Sequence, residues 1–167
     1  MKSVSILLTF ALCTSVLFAQ TPPKSPGCTL SQTVGLTDIE VAYSRPDADG
    51  RTIYGELVPF DEMWRTGANK ATALTFSTDV TINNQKVPAG SYSLFPIPGK
   101  SEWTIILNKN TELWGVGGYK KEEDQLRFTV KPTTTGDKYE TFTIDFSDIE
   151  MESAKINLTW EKTRVTF

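Results

Sequence analysis

Apolar and polar residues alternate along most of the chain, and this period of two is typical of half-buried β-strands. The alternation is clearest in residues 39–43, 126–130, 142–146 and 156–160. Residues 73–76, followed by residues 80–82, and residues 103–107 are instead apolar on both sides, which indicates strands covered on both faces. The pattern therefore predicts an all-β chain.

Turn signals separate these segments. Asn83-Asn84 is expected to form a tight hairpin turn, because asparagine tolerates positive φ, and Pro88-Ala89-Gly90 is expected to form another turn. Helical periodicity is limited to residues 60–64 and 119–124, each too short for a stable helix. Roughly ten strands with one or two short helical turns predict an antiparallel β-sandwich, with a distorted β-barrel as the alternative.

The N-terminus has the pattern of a secretory signal peptide over residues 1–19. Lys2 precedes an apolar stretch, residues 4–18, which ends at the small residue Ala19. This stretch is shorter than the roughly 20 residues of a membrane-spanning helix. We expect cleavage near Ala19-Gln20, a mature chain that is periplasmic or extracellular, and no transmembrane segment. Lipidation at Cys13 fits poorly, because the residue before it is bulky.

The remaining length corresponds to one domain. Residues 20–29 contain prolines and Gly27 and are predicted to form an extended N-terminal tail, followed by a single β domain over residues 30–167. A domain of this size buries roughly 70% of its unfolded surface and needs no disulfide. Cys28 would be the one cysteine left after cleavage, so we expect an inert thiol, with an intermolecular disulfide as the alternative.

The composition excludes several classes of function. With 17 basic and 20 acidic residues, the chain is a poor candidate for nucleic-acid binding. It contains no histidine, so the common nucleophile–base pairs and histidine-ligated metal sites cannot be built. The run Asp47-Ala48-Asp49-Gly50 is only a fragment of a calcium-binding loop and is interpreted as a turn. We expect no metal and no cofactor.

One stretch of the chain has a specific pattern. It contains Ser44-Arg45-Pro46, residues 50–60, and Met63-Trp64-Arg65-Thr66-Gly67-Ala68-Asn69-Lys70-Ala71-Thr72. Together with residues 88–95, 103–108 and 158–161, this stretch resembles the family called domain of unknown function 2911, found in exported proteins of Gram-negative bacteria. The resemblance covers the chain from about Thr33 to Phe167. It implies an exported β-rich domain and supplies no catalytic residue.

Three of the five arginines lie in this stretch: Arg45, Arg51 and Arg65. The planar guanidinium group suits carboxylate and phosphate, so convergent arginines would form an anion pocket. The alternative is that Arg65 is a structural residue held in an ion pair. Its candidate partners are then Glu56, Asp61 and Asp124.

The tryptophans also allow two interpretations. Trp64 and Trp114 lie in predicted loops, and Tyr119 follows the glycine-rich residues after Trp114. If exposed, these rings would form a stacking surface for sugars. If folded inward, they would cap the open end of the sandwich, with Trp64 as a core anchor. Trp103 and Trp160 fall in alternating strands and are expected in the core.

The sequence favours an exported, noncatalytic protein that binds a small anionic or glycan-like ligand, or an envelope protein partner. The candidate ligand-binding residues are Arg45, Arg51, Trp64, Arg65, Asn69, Trp114 and Tyr119. One alternative is a carboxylate-dependent enzyme resembling glycoside hydrolases, which needs two carboxyl groups facing one cleft. Its candidate acids are Asp61, Glu62 and Asp124. The other alternative is a structural envelope protein without a small ligand.

Overall fold

The computed structural model describes residues 21–167, and the chain forms ten strands and one short 3-10 turn there. The predicted signal peptide, its cleavage point and Cys13 lie outside the described residues. The strands are β1 (Gly27–Val34), β2 (Thr37–Ser44), β3 (Thr72–Phe76), β4 (Val80–Ile82), β5 (Gln85–Val87), β6 (Gly90–Pro98), β7 (Trp103–Asn108), β8 (Asp124–Val130), β9 (Thr133–Ser147) and β10 (Lys155–Thr166).

Six strands form the main antiparallel sheet, in the order β1-β2-β3-β6-β7-β8. Alternate side chains on its inner face are buried, as the period of two predicts. Val41 pairs with Leu74, Leu94 pairs with Leu107, and all four are fully buried. A small hairpin, β4 and β5, forms a separate two-stranded sheet whose Val87 is buried in the same core, and positive φ angles at Asn83-Asn84 confirm its predicted turn.

The second layer is formed by β9 and β10, which are antiparallel to each other. Its alternating apolar residues, such as Phe142, face the main sheet, where the Phe142 ring meets Tyr43 edge-on at 5.7 Å. Ile156, near the start of β10, and Phe167, just after its end, exchange two backbone hydrogen bonds of 2.7 and 3.1 Å. The two layers share one core, as in a β-sandwich, and the sheets do not close into a barrel.

A second, smaller core lies on the outer face of the main sheet. Its buried residues are Ala71, Phe95, Ile106 and Leu113. This cluster confirms that residues 103–107 form a strand covered on both faces. The same expectation was wrong for residues 73–76 and 80–82: Ala73 is only half-buried, and the chain then leaves the sheet to form β4. The outer cluster covers the middle of β6 and β7 and does not extend over β3.

Three local boundaries differ from the sequence-based expectations. The one 3-10 turn, Lys121–Glu123, lies within the predicted helical segment 119–124, whereas residues 60–64 form no helix. The first strand begins at Gly27, inside the predicted tail of residues 20–29. It does so because Gly27 and Cys28 find partners on β2, which leaves the Cys28 side chain half-buried. Among residues 21–167, no helix has the length and apolarity needed to span a membrane.

The connection from β2 to β3 is held in an unusual backbone conformation. Thr66 has a φ of 57°, which is a true outlier for a β-branched residue and costs about 1–3 kcal/mol. Its hydroxyl donates a 2.6 Å hydrogen bond to the Leu94 carbonyl, and its side chain is fully buried. The next residue, Gly67, lies so close to β2 that a Cβ would be 2.5 Å from the Ser44 carbonyl oxygen. These contacts fix Thr66 and the residue that follows it.

Replacing Gly67 with alanine should therefore destabilise the protein strongly. The added methyl group collides with backbone, which cannot move aside cheaply, so we expect a loss of about 2–4 kcal/mol and a fall in Tm of about 5–15 °C. Gly50→Ala is the control, because Gly50 also has positive φ but nothing lies within 4 Å of its Cβ position. Thermal melts should show a fall of only about 2–4 °C for the control. Equal falls would contradict the close approach of Gly67 to β2.

Candidate functional site: a cleft at one end of the sandwich

A cleft of about 690 Å³ opens where the two layers separate. One wall is residues 46–51, which continue from β2 and attach to β9: the Ala48 amide donates to the Glu140 carbonyl at 2.8 Å, and the Phe142 amide donates to the Pro46 carbonyl at 2.9 Å. Residues 64–69 form another part of the lining, together with Lys24 and Ser25. The cleft therefore depends on the path of the chain between β2 and β3.

The floor of the cleft is aromatic. Trp64 stacks on Trp160 with ring centroids 5.8 Å apart and meets Phe142 edge-on at 4.9 Å. Both indole nitrogens donate to backbone carbonyls, Trp64 to Gly67 at 3.2 Å and Trp160 to Glu140 at 3.0 Å. Trp64 is 8% exposed and Trp160 1%. Trp64 is thus a core anchor of which only a small part is exposed where it lines the cleft.

Arg65 lines the cleft without a carboxylate partner. It forms no ion pair with any acid among residues 21–167, so the alternative partners Glu56, Asp61 and Asp124 were wrong. The single hydrogen bond found for its guanidinium is a 3.4 Å contact from Nη1 to the Asn69 carbonyl. The group lies flat against Gly115, where a Cβ would be 3.3 Å from Cζ and 3.4 and 3.5 Å from the two Nη atoms.

Arg51 also lines the cleft. Its Nε donates to the Ala48 carbonyl at 2.9 Å, and its Nη2 donates to the Asp47 carbonyl at 2.6 Å, so it is held by the turn that the sequence predicts at residues 47–50. It is exposed and forms no ion pair with the described acids. Two arginine side chains with unsatisfied charge therefore share one cleft.

Arg45 does not line the cleft, although the sequence groups it with Arg51 and Arg65. Its Nε donates to the Phe142 carbonyl at 3.3 Å and its Nη2 donates to the Thr143 hydroxyl at 2.9 Å. These bonds join the end of β2 to β9. The structure thus places Arg45 as a tie between the layers, and only two of the three arginines converge.

Three carboxylates also line the cleft, and sequence patterns did not single them out as ligand-binding residues: Asp47, Asp49 and Glu140. Two of them already have partners. Asp47 accepts a hydrogen bond from the Thr141 hydroxyl, and Glu140 accepts one from the Asp49 amide at 2.7 Å. Only the pairing of residues 46–48 with β9 brings Glu140 here, so no local signal could have revealed it.

Asn69 lines the cleft and joins it to the N-terminal segment. Its φ is 61°, a conformation that asparagine tolerates better than most residues. Its amide nitrogen donates to the Ser44 hydroxyl at 3.2 Å and to the Ser25 carbonyl at 3.4 Å. The predicted ligand-binding residue Asn69 therefore also orders the cleft wall.

Trp114 and Tyr119 lie outside the cleft lining. Trp114 is 70% exposed, so it does not fold inward. The Tyr119 hydroxyl donates to Asp124 at 2.8 Å and accepts from Arg127 at 2.7 Å. Burial raises the pKa of Tyr119, and the bond to Asp124 raises it further. Tyr119 is therefore part of a polar cluster at the start of β8.

Of the candidate acids of the hydrolase alternative, Asp124 lies far from Asp61 and its neighbour Glu62. The Asp61 amide donates to the Pro98 carbonyl, at the Trp103 end of β7, and Asp124 lies opposite Asn108 at the other end. Five residues of strand separate the two ends by about 16 Å, beyond the roughly 9.5 Å limit for paired catalytic carboxylates. Neither they nor Glu62 line the cleft. Within residues 21–167, no three acidic or cysteine side chains cluster as metal ligands would.

Most of the residues that line the cleft lie in the stretch with the specific sequence pattern. The model of the family described as Protein of unknown function (DUF2911) matches residues 25–167, which include both layers and all the cleft residues except Lys24. The chain belongs to the DUF2911 family. Nothing among the curated proteins or the solved structures matches this DUF2911 chain.

Two arginines of the DUF2911 domain allow a matched stability test. Arg127 forms a 3.0 Å ion pair with Asp124, whose side chain is 11% exposed, whereas Arg65 has no such partner. Arg127→Gln leaves a buried carboxylate without its cation, so we expect a loss of about 2 kcal/mol and a fall in Tm of about 4–8 °C. Arg65→Gln should change Tm by no more than about 3 °C. Equal falls in parallel melts would show that Arg65 is a structural residue.

Proposed function

We propose that the protein is an exported, noncatalytic binding protein that holds a small anionic, hydroxyl-bearing ligand in the cleft. The observation that carries this proposal is the position of Arg65, a half-buried guanidinium on the wall of the cleft with no carboxylate partner among the described residues. Arg51, which lines the same cleft, supports it. Export rests on the signal-peptide pattern of residues 1–19.

The charge of Arg65 is available to a ligand. Hydrogen bonds between guanidinium and carboxylate or phosphate are roughly twice as strong as bonds between neutral groups, and guanidinium can form two in parallel. Gly115 covers one face of the group, so its N–H edges remain for in-plane donation. A ligand anion at this point would gain a charged partner without breaking an ion pair of the protein.

The rest of the cleft suits a ligand with hydroxyl groups. Carboxylates such as Asp49 and Glu140 accept hydrogen bonds, and Trp64, Leu57 and Val58 add apolar lining. A purely anionic ligand would be repelled by these carboxylates, whereas an acidic sugar presents its anion to the arginines and its hydroxyls to the acids. The cleft volume lies within the range of about 300–1,000 Å³ typical of small-molecule sites.

Binding can be tested by calorimetry with glucuronate, inorganic phosphate and glucose. We expect the purified protein to bind glucuronate better than the neutral sugar, because only the acid can pair with the arginines. Arg65→Gln and Arg51→Gln should each weaken glucuronate binding about tenfold, the loss of one charged hydrogen-bond partner. Lys131→Gln is the control, since it removes an exposed charge outside the cleft. Failure of glucuronate to bind, binding of phosphate in preference to glucuronate, or equal affinities in all variants would overturn the proposal.

A second test uses the glycine beneath Arg65. In Gly115→Ala the new methyl group would lie 3.3 Å from Cζ of Arg65, closer than an ordinary contact, so the guanidinium must shift and glucuronate affinity should fall at least fivefold. Gly118→Ala is a close control: φ is +82° there and +72° at Gly115, but the nearest atom belongs to Leu113 and not to Arg65. Melting temperatures should fall by a similar few degrees in both variants. A similar loss of affinity in both variants would show that the contact with Gly115 does not orient Arg65 for binding.

A further inference from the structure

Trp114 is the exposed tryptophan of this chain. It is 70% exposed, whereas Trp64, Trp103 and Trp160 are each at most 8% exposed. The residue before it, Leu113, is buried in the outer cluster and anchors the loop there. The loop is therefore fixed against the sheet, and its largest side chain nevertheless remains in solvent, where its apolar surface gains nothing from folding.

Trp114 is joined to the cleft wall by backbone contacts. It forms an isolated antiparallel bridge with Lys70, and the Ala71 amide donates to the Leu113 carbonyl at 3.1 Å. Gly115, the next residue, lies against the guanidinium of Arg65. Trp114 thus lies next to the end of the wall that carries Arg65, just outside the cleft lining.

We propose that Trp114 is a second subsite, on which a neighbouring sugar ring stacks while the acidic group of the ligand pairs with Arg65. The ligand class is then an acidic oligosaccharide of at least two rings. This inference rests on the proposed function of the cleft. An indole face suits the C–H surface of a sugar ring while the ring's hydroxyls stay in water. A ligand confined to the cleft would leave Trp114 unused.

The test compares glucuronate with a disaccharide of glucuronate and glucose, using the purified protein and Trp114→Ala. The wild type should bind the disaccharide about five- to tenfold more tightly, and Trp114→Ala should remove this gain without changing glucuronate affinity by more than about twofold. Trp114→Phe should retain part of the gain, because an aromatic face remains. The variants should have the same Tm as the wild type, since the bridge between Trp114 and Lys70 is made by backbone atoms.

Fluorescence gives an independent readout. Iodide quenching reports on Trp114, because the other three tryptophans are shielded from solvent. The disaccharide should protect Trp114 from iodide. Glucuronate should not, because it occupies only the cleft. If glucuronate binds but the disaccharide gains nothing, or keeps its gain in Trp114→Ala, the second subsite is wrong and the cleft proposal stands. If neither sugar acid binds, both proposals are overturned.

Discussion

The packing of Trp64 between the two layers is the constraint on which the cleft depends. Its ring lies against Trp160 and Phe142 of the second layer, while the following residues attach to the main sheet through Thr66 and Gly67. The segment between β2 and β3 is therefore attached to both layers of the sandwich. This explains how Thr66 is kept in a strained conformation: the core contacts on either side outweigh the local cost.

The fixed position of Arg65 keeps its guanidinium free of a carboxylate partner among the described residues. A guanidinium on a flexible loop would pair with a nearby acid or extend into water. Here its position is set by Trp64 before it, Thr66 after it and Gly115 beneath it, and no described carboxylate reaches it. Arg127 shows the contrast, since its ion pair with Asp124 is completed by Tyr119 and leaves no charge for a ligand. Both residues carry the same guanidinium group, but the fold places a carboxylate beside Arg127 and none of the described carboxylates beside Arg65.

The sequence predicted the fold better than the site. Alternation at residues 142–146 and 156–160 identified β9 and β10, and Asn83-Asn84 identified a hairpin turn, because these signals are local. Whether arginines converge depends on tertiary packing, so Arg45 was grouped with Arg51 although it ties β2 to β9. Residues of the predicted N-terminal tail joined β1 for the same reason, since their partners lie on β2.

The most direct test of the account is a nuclear magnetic resonance titration that follows the Nε–H signals of the five arginines as glucuronate is added. The account predicts that the signals of Arg51 and Arg65 shift with the same saturation curve, since both line the cleft. The signals of Arg127 and Arg164, which are bonded elsewhere in the fold, should stay in place. Shifts spread evenly over all five arginines, or none at Arg65, would contradict an anion site in the cleft.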